Sequence, residues 1–434
     1  MHYPVVKFYL RLSIVVWGIV LLSSAIALVL GGLDDTTPLA WVKVSNNTGD
    51  IYIWDRRTDV VVNLTERPAN YENLSWSSDG FLAWQSNDSD QNSEVYVWDS
   101  HRHRVINVSQ SLASDGSPVW SDGGLLAWES FDGEDVDIYV WDSHTGEVEN
   151  ISQSPANDGG SVWSNDGLLA WEAVRGNFWE IYVWNSRTKE VINVSQSLAN
   201  ASGPVWSSSG QLAWESFNGR ASNIYVWDSQ TQEVKNISQS LDYYYAILPV
   251  WSNDGRLVWV SYLATGGGTY VADIDLWDSR TEEAISVGKS SYSYRSNGPI
   301  WSSGGQLAWQ SDNSGNFDIY VWDSNTGETM NVGKSFYSDT FPVWSNDGQL
   351  AWISHHPNDL GVNVWDSQTR ENVKVSPIPA ENSLLVWSED GWLAWQSDSA
   401  TNHDINVWNS HTGEVINVSQ SPARDVNPIW LNGW

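Results

Sequence analysis

Two short segments carry residue types that bind phosphate in other proteins. Residues 288–290 and 333–335 both read Gly-Lys-Ser, like the end of a phosphate-binding loop. Glu283 and Glu328 occupy the positions where that loop needs its first glycine, so nucleotide binding is not predicted. The chain also has no Gly-x-Ser-x-Gly sequence, which excludes the nucleophile elbow of a serine hydrolase.

The histidines and acidic residues do not form a recognisable ligand set. His101 and His103 lie in one predicted turn, and no second cluster completes a metal site. The acidic segment 132–137 could hold calcium, but solvated carboxylates explain its composition without a metal. With no cysteine there is no disulfide and no thiol nucleophile. We therefore expect no catalytic residue, no metal and no cofactor, and we predict that the chain is not an enzyme.

These segments all lie within one repeat that occupies the chain from about residue 39 onwards. Each copy has a tryptophan after a short apolar run, a second tryptophan eight residues later and a third usually thirteen residues further on. The first tryptophans of successive copies, 43 to 50 residues apart, are Trp76, Trp120, Trp163, Trp206, Trp251, Trp301, Trp344, Trp387 and Trp430. A period of roughly 40 to 45 residues with turn residues between short strands is typical of a β-propeller blade.

Each copy is predicted to contain four short strands. Glycine-bearing turns such as Asp166-Gly167 separate the first strand from the second. The second and third strands are apolar without strict alternation, as expected when neighbouring sheets cover both faces. In the copy that begins at Pro118 the four strands are predicted at 119–121, 125–130, 138–142 and 148–152.

Two features of the fourth-strand region have structural interpretations. Glycine follows the turn threonine at Gly146 but Lys189 and Arg370 occupy that place elsewhere, so we expect no strict requirement for a left-handed backbone there. Asn-x-Ser/Thr triplets such as those at Asn150 and Asn193 arise from the strand consensus itself. They support glycosylation only weakly.

We expect an all-β fold made of a single β-propeller with nine four-stranded antiparallel blades. Eight copies contain all four strands, and the remaining pieces are complementary. Strands near Trp41, Trp54 and 60–64 at the start would combine with Pro428-Ile429-Trp430 at the end. Such a split ninth blade leaves no open sheet edge. The alternative is eight blades with loose ends.

An uncharged, mostly apolar segment precedes the repeats. Residues 12–33 are long enough to cross a bilayer as a helix, and Lys7 and Arg11 before them place the amino terminus in the cytoplasm. A cleaved signal peptide ending near Ala27 is the competing interpretation, and both export the propeller to the periplasm or cell surface. The predicted cytoplasmic segment, transmembrane anchor, linker and propeller are 1–11, 12–33, 34–38 and 39–434.

The charge of the chain restricts its partners. There are 21 basic and 53 acidic residues, a net charge of −32. This charge repels nucleic acid phosphates and anionic membrane surfaces. Nucleic acid is therefore not an expected partner, and contact with a membrane is expected only through the amino-terminal helix.

The blade sequence resembles a known family. WSNDGLLAW at 163–171, IYVWN at 181–185 and NVSQS at 193–197 resemble the TolB-like group of WD-repeat-like propellers, whose blades carry a Trp-Ser-x-Asp-Gly turn and an Ile-Tyr-Val strand. The resemblance extends from about 39 to 432, although the Gly-His pair of ordinary WD repeats is missing. It implies a scaffold for protein contacts in the cell envelope.

The predicted binding site lies where the regular spacing fails, in the adjacent blades between Trp227 and Trp344. Loops there carry most of the aromatic residues outside the repeat, and aromatic residues with arginine are frequent at interface hot spots. A protein partner is expected; a glycan, or an enzyme of glycosidase or lyase type, is the alternative. The competing interpretation is that the rings pack inward. The predicted site residues are Tyr243, Tyr244, Tyr245, Tyr262, Tyr270, Tyr292, Tyr294, Arg295 and Tyr337.

Overall fold

The computed structural model describes residues 37–45, 48–65, 68–87, 92–196, 199–238, 244–266, 269–290, 298–312, 315–334, 336–356, 360–376, 384–398 and 403–431. Within these ranges the chain forms β-strands joined by turns and loops. No helix of the described ranges is long and apolar enough to cross a membrane. The predicted anchor at 12–33 lies outside the described residues and stays a prediction.

The strands form antiparallel groups of four, which we call blades and name by the tryptophan of the first strand. Single parallel bridges, Ser222 with Tyr245 and His403 with Arg424, join neighbouring groups into two eight-stranded sheets. The chain begins with β1 (Leu39–Ser45), β2 (Thr48–Asp55) and β3 (Val60–Asn63). The Trp76 and Trp120 blades are β4 (Asn70–Trp76), β5 (Phe81–Asn87), β6 (Glu94–Asp99), β7 (Arg104–Asn107), and β8 (Ser114–Trp120), β9 (Leu125–Phe131), β10 (Val136–Asp142), β11 (Val148–Asn150). The Trp163 and Trp206 blades are β12 (Asp158–Trp163), β13 (Leu168–Arg175), β14 (Phe178–Asn185), β15 (Val191–Asn193), and β16 (Asn200–Trp206), β17 (Gln211–Phe217), β18 (Ser222–Asp228), β19 (Val234–Asn236).

The later blades follow the same order. The Trp251 and Trp301 blades are β20 (Tyr244–Trp251), β21 (Arg256–Gly266), β22 (Thr269–Asp278), β23 (Glu283–Ser290), and β24 (Ile300–Trp301), β25 (Gln306–Ser311), β26 (Asp318–Asp323), β27 (Thr329–Asn331). The Trp344 and Trp387 blades are β28 (Asp339–Trp344), β29 (Gln349–Ser354), β30 (Gly361–Asp366), β31 (Asn372–Ser376), and β32 (Leu385–Trp387), β33 (Trp392–Asp398), β34 (His403–Asn409), β35 (Val415–Asn417). The last strand is β36 (Arg424–Trp430).

The two ends of the described chain meet in one sheet. β36 pairs antiparallel with β1, with Leu39 opposite Trp430 and Ala40 opposite Ile429. Together β36, β1, β2 and β3 form a four-stranded group, the Trp430 blade. The predicted all-β class and the four-stranded antiparallel sheets are confirmed.

The hydrophobic core lies between blades. Trp171 and Leu169 of the Trp163 blade are buried in one cluster with Ala127, Ile138 and Val140 of the Trp120 blade. Similar clusters occur at the other interfaces, including both sides of the Trp430 blade. Burial on both faces explains why the second and third strands lack polar alternation.

Within each blade the first and third tryptophans contact each other. The rings of Trp163 and Trp184 lie edge to face with centroids 6.1 Å apart, a geometry that the ring quadrupoles favour. In the Trp430 blade the pair is Trp54 with Trp430, at 6.3 Å. A pair assembled from residues so distant in sequence indicates that this blade has the same core as the others.

The first tryptophans also connect one blade to the next. The indole Nε1 of Trp163 donates to the carbonyl oxygen of Val119 in the preceding blade, at 3.2 Å. In the described residues the Trp344 Nε1 is buried without such a partner. Equivalent bonds are made by Trp76, Trp120, Trp206, Trp251, Trp301, Trp387 and Trp430.

The turn between the third and fourth strands corrects one expectation. The residue that follows the turn threonine has a positive φ in each case, 77° at Gly146, 64° at Lys189 and 61° at Arg370. The reason is a backbone bond: the Lys189 N–H donates to the Asn185 carbonyl four residues earlier, at 2.8 Å. The turn therefore imposes the left-handed conformation even on residues for which it is unfavourable.

A buried aspartate begins several first strands. Asp115 accepts a hydrogen bond from Trp128 Nε1 at 3.2 Å, and Asp425 accepts one from Trp41 Nε1 at 3.0 Å. Asp158 is the equivalent residue of the Trp163 blade, and its Oδ1 lies 3.2 Å from Arg175 Nη2. Burial raises the pKa of Asp158 to about 6, although Arg175 opposes the shift.

Truncation of a core tryptophan should cost far more stability than truncation of a surface one. Trp128 is 1% exposed and Trp179 is 42% exposed. Trp128→Ala should lower the free energy of unfolding by roughly 3 to 5 kcal/mol, whereas Trp179→Ala should barely change it. Chemical denaturation of the two variants measures the difference, and equal losses would contradict this assignment of the core.

Asp158 should make stability fall as pH rises. Its folded pKa lies above the ordinary value of 3.8, so folding favours the protonated form; the contribution is complete below about pH 4 and lost as pH rises through 6. Relative to Asp158→Asn, the wild type should lose on the order of 3 kcal/mol between pH 4 and pH 7. The melting temperatures of the wild type and of Asp158→Asn, measured from pH 4 to pH 7, test this. The prediction is refuted if the two proteins show the same dependence on pH.

Candidate binding face

One end of the propeller carries all of the variable loops. In every blade the turns between strands one and two and between strands three and four lie at one end. The hairpins between strands two and three, such as 132–135, and the connections between blades, such as 152–157, lie at the other. We call this second end the loop end. Binding residues in propellers are expected where loops vary on a rigid scaffold.

The strongly exposed aromatic side chains gather at the loop end. The other large apolar side chains with high exposure are mostly aliphatic residues of the outermost strands, such as Val148 and Val191. Aromatic residues in contact with water at one end only indicate a binding face. Among the side chains that the structure describes, the exposed aromatic residues are Phe131, Trp179, Phe217, Phe336 and Tyr337.

The Trp251 blade extends farther than its neighbours at the loop end. β17 ends three residues after Trp214, whereas β21 continues for seven residues after Trp259 and pairs with β22 along its length. Four additional residues in β21 and three in β22 lengthen this hairpin by about 10 to 13 Å. β23 is also lengthened, to eight residues, and Ser290 pairs with Ala272. The irregular spacing in the sequence therefore corresponds to a projecting hairpin.

The predicted site residues are placed unequally. Tyr245 is half-buried, and its ring stacks on that of Phe217 at 6.2 Å. Tyr262 is half-buried in β21 and packs against the core of its blade. Tyr337 is exposed, and its ring meets that of His356 at 4.3 Å. Inward packing therefore holds in part.

The remaining predicted residues cannot be placed in the site. Tyr244 lies in β20 and Tyr270 in β22, but their side chains lie outside the described part of the chain. Outside the described residues altogether are Tyr243, Tyr292, Tyr294 and Arg295. Phe341, a further aromatic residue of the same sector, lies in β28 and packs against buried residues of the next interface.

Three glutamates near the loop end were missed by the sequence reasoning. Glu129, Glu172 and Glu215 each follow the buried second tryptophan of their blade. Each accepts a hydrogen bond from a first-strand N–H of the next blade, at 2.7 to 2.9 Å. The available signal was a polar residue placed directly after an invariant buried position of the repeat.

These bonds stabilise a bulge in the first strand. Gly160, Gly203 and Leu248, the residues whose N–H groups donate, have φ between 58° and 66°. Glycine tolerates this conformation, whereas Leu248 is strained by it. Burial is the main cause of a raised pKa at Glu215, and the nearby charge of Glu172 raises it further.

A groove lined by two arginines lies at the opposite end. Arg256 and Arg280 line a groove of about 450 Å³ at the turns of the Trp251 and Trp301 blades. Arg256 pairs with Asp254 at 2.8 Å, and Arg280 pairs with Asp278 at 2.7 Å. Because each guanidinium group already has a carboxylate partner, this groove is a weak anion site.

Two other sequence features have structural roles. Asn150 Nδ2 donates to Asp137 at 2.8 Å, and Asn193 Nδ2 donates to Glu180 at 2.7 Å, so the amides of these triplets brace the third and fourth strands. In the acidic segment, Asp132 Oδ1 accepts from the Glu134 N–H at 2.9 Å and forms a turn. In the ranges described, no group of three His, Asp or Glu side chains is arranged to hold a metal ion.

The comparisons with known proteins agree with this architecture. The family model described as TolB beta propeller domain matches residues 81–286. No curated protein matches the chain. Dipeptidyl peptidase 4 of Porphyromonas gingivalis is 13% identical, and the match covers 87% of this chain and 57% of that one with a TM-score of 0.52.

Two further solved structures match with lower TM-scores. The putative TolB from Agrobacterium tumefaciens is 18% identical over 59% of this chain and 90% of its own, with a TM-score of 0.35. The oligogalacturonate lyase of Vibrio parahaemolyticus is 14% identical over 77% and 98%, with a TM-score of 0.46. The chain spans 42% of the length of the tricorn protease, which it also matches. At these identities the matches concern the fold alone.

The prediction that the chain is not an enzyme is contradicted. The fold is shared with an enzyme, the dipeptidyl peptidase 4 that matches with a TM-score of 0.52. That prediction relied on missing hydrolase and metal motifs, which exclude only some catalytic groups, since one fold hosts many chemistries.

Three observations point to the same TolB-like propeller: the repeated Trp-Ser-x-Asp-Gly turn, the four-stranded antiparallel blades and the family match. The resemblance identified in the sequence is confirmed. Residues 81–286 of the chain therefore match the family model described as TolB beta propeller domain, and the chain is similar to that family.

Proposed function

We propose that this protein is an extracytoplasmic propeller that binds a protein partner through the loop end of the blades between Trp227 and Trp344. The projecting β21–β22 hairpin is the observation that carries this proposal. Because this hairpin projects beyond its neighbours, a partner can contact the side of the hairpin as well as the loop end itself. The similarity of residues 81–286 to the TolB beta propeller domain supports a partner in the cell envelope.

Exposed side chains beside the hairpin support the same sector. Phe336 is 96% exposed in the connection that leads to β28, and Leu263 is exposed on the hairpin itself. Exposed rings supply contact area with little loss of conformational entropy on binding. The predicted residues Tyr243, Tyr244, Tyr270, Tyr292, Tyr294 and Arg295 belong to the same loops and remain part of the proposed site.

The proposed ring contains nine blades and closes through the Trp430 blade. The pairing of β36 with β1 supports this closure. So do two hydrogen bonds across it, from Trp76 Nε1 to Ile429 O at 3.3 Å and from Trp430 Nε1 to Val386 O at 3.1 Å. The propeller then occupies 39–434, preceded by the proposed cytoplasmic segment, anchor and linker at 1–11, 12–33 and 34–38.

A second candidate function is catalysis at the same end. Glu215, with its raised pKa, lies near Glu172, and two carboxyl groups whose environments differ are a common source of an acid and a base. This pair suits a glycosidase or lyase reaction on a glycan. A ligand whose mass changes on incubation with the wild type, but not with Glu215→Gln, would favour it over binding alone.

Shortening the projecting hairpin should remove partner binding. Residues 263–271 can be exchanged for residues 218–221, the turn of the neighbouring blade, because Tyr262 pairs with Ala272 as Phe217 pairs with Ser222. Affinity capture from the native envelope should lose its main protein while the melting temperature stays within a few degrees. Tyr244, Tyr292 and Arg295 changed together to Ala should have the same effect. Unchanged capture by both variants would place the site elsewhere.

Removing the last strand should destabilise the whole ring. Deletion of 427–434 leaves β1 unpaired on one side and should lower the melting temperature by roughly 10 °C or more. Deletion of 432–434 alone, which lie beyond β36, serves as the control. If both truncated proteins melt like the full chain, the ring does not close in this way.

A further inference from the structure

Three consecutive blades outside the proposed site each present an exposed aromatic ring at the loop end. Phe131, Trp179 and Phe217, on the Trp120, Trp163 and Trp206 blades, are 46%, 42% and 37% exposed. We call these three rings the aromatic arc. The regular spacing of these blades gave the sequence analysis no reason to select them.

The rings lie at one level of the propeller. Phe131 and Phe217 follow the second tryptophan of their blades by three residues. Trp179 pairs across the hairpin with Val174, which occupies that same position in the Trp163 blade. Equivalent positions on adjacent blades are related by one blade rotation, so the three rings lie at corresponding heights on neighbouring blades.

Folding does not require aromatic residues at this level. The same position holds polar residues in four other blades, where the second and third strands still pair. A ring that is exposed and replaceable by Asn or Asp contributes little to the core. The polar equivalents are Asn87, Asp312, His355 and Asp398.

The arc is held in place by neighbouring groups. The Trp179 N–H donates to Asn200 Oδ1 at 3.1 Å, and the Val136 N–H of the Phe131 hairpin donates to Asn157 Oδ1 at 3.2 Å. Phe217 stacks on Tyr245 at 6.2 Å. Rings that are ordered before binding lose less entropy when a ligand arrives.

The surroundings of the arc are acidic. Glu129, Glu172 and Glu215 lie on the second strands that lead to the three rings. The 132–137 segment beside Phe131 contains four further carboxylates and no basic residue. Of the basic residues nearby, Arg175 pairs with Asp158 and lies over the Tyr182 ring, while Arg220 is exposed.

We propose that the aromatic arc docks an extended, arginine- and lysine-rich segment of a partner protein. Guanidinium and ammonium groups bind to aromatic faces and are attracted by the surrounding carboxylates. The same charge disfavours nucleic acids and anionic membranes. This surface adjoins the proposed hairpin site where Phe217 stacks on Tyr245, and it goes beyond that site.

The test compares two matched triple variants in binding a labelled nona-arginine peptide, measured by fluorescence anisotropy at physiological salt. Phe131, Trp179 and Phe217 are changed to Ala in one variant. The control changes Val148, Val191 and Val234, which lie on the outermost strands of the same blades with 45%, 42% and 44% exposure. The arc variant should raise the Kd of the peptide at least about tenfold, because it removes the aromatic faces that bind cations. The Kd of the control variant should stay within about twofold of the wild type, because valine side chains offer no such face.

A third variant removes the negative charge near the arc while it keeps the hydrogen bonds that the glutamates accept. Glu129, Glu172 and Glu215 are changed to Gln, which already fills this position at Gln310 and accepts the Phe341 N–H at 3.2 Å. This variant should keep its melting temperature, weaken peptide binding and reduce its salt dependence.

Two outcomes would overturn the proposal. Equal Kd values for the arc and valine variants would show attraction to the acidic surface in general, and nona-glutamate binding as tightly as nona-arginine would exclude a cationic ligand. Exchange of residues 263–271 should leave nona-arginine binding unchanged, so failure of the hairpin site and failure of the arc are distinguishable.

Discussion

The structure depends on a hydrogen bond between the innermost strands of successive blades. In eight places a first-strand indole N–H donates to a backbone carbonyl of the preceding blade. The same tryptophan ring contacts the third tryptophan of its own blade, as Trp120 does with Trp141. One side chain therefore fixes a blade internally and to its neighbour. Phenylalanine would fill much of the space but has no donor, which explains why tryptophan is repeated.

Because each blade contacts mainly its two neighbours, local changes need not propagate around the ring. The Trp251 blade lengthens three of its strands, yet Trp251 keeps both its bond to Val205 and its ring contact with Trp277. The left-handed turns lie at the end opposite the loop end, and the insertions lie at the loop end. Variation is therefore concentrated where it does not disturb the bonds between innermost strands, and function is expected at that end.

Glu129, Glu172 and Glu215 on the second strands both accept a structural hydrogen bond and add negative charge near the loop end. Each stabilises a bulge in the next blade through one carboxylate oxygen, as Glu172 does for Gly203. Gln310 does the same for Phe341 without a charge, so an acidic residue is not required for the bond. The acidic character of the Trp120, Trp163 and Trp206 blades is therefore additional to folding, and it coincides with the sector where aromatic rings face water.

The sequence alone determined the blade architecture, because tryptophan spacing and apolar runs report a repeated local structure. It also identified the irregular loops, whose extra residues appear directly in the spacing. Contacts between blades were decided only by the tertiary structure. Glu129 and Gly160 are 31 residues apart, and neither residue type alone predicts their bond. Exposure was equally undetermined: Phe131 faces water and Phe341 packs inward, although both are single aromatic residues near the loop end. The physical reason is that the burial of a side chain depends on which residues the adjacent blade places against it, and that is decided by the packing of one blade on the next.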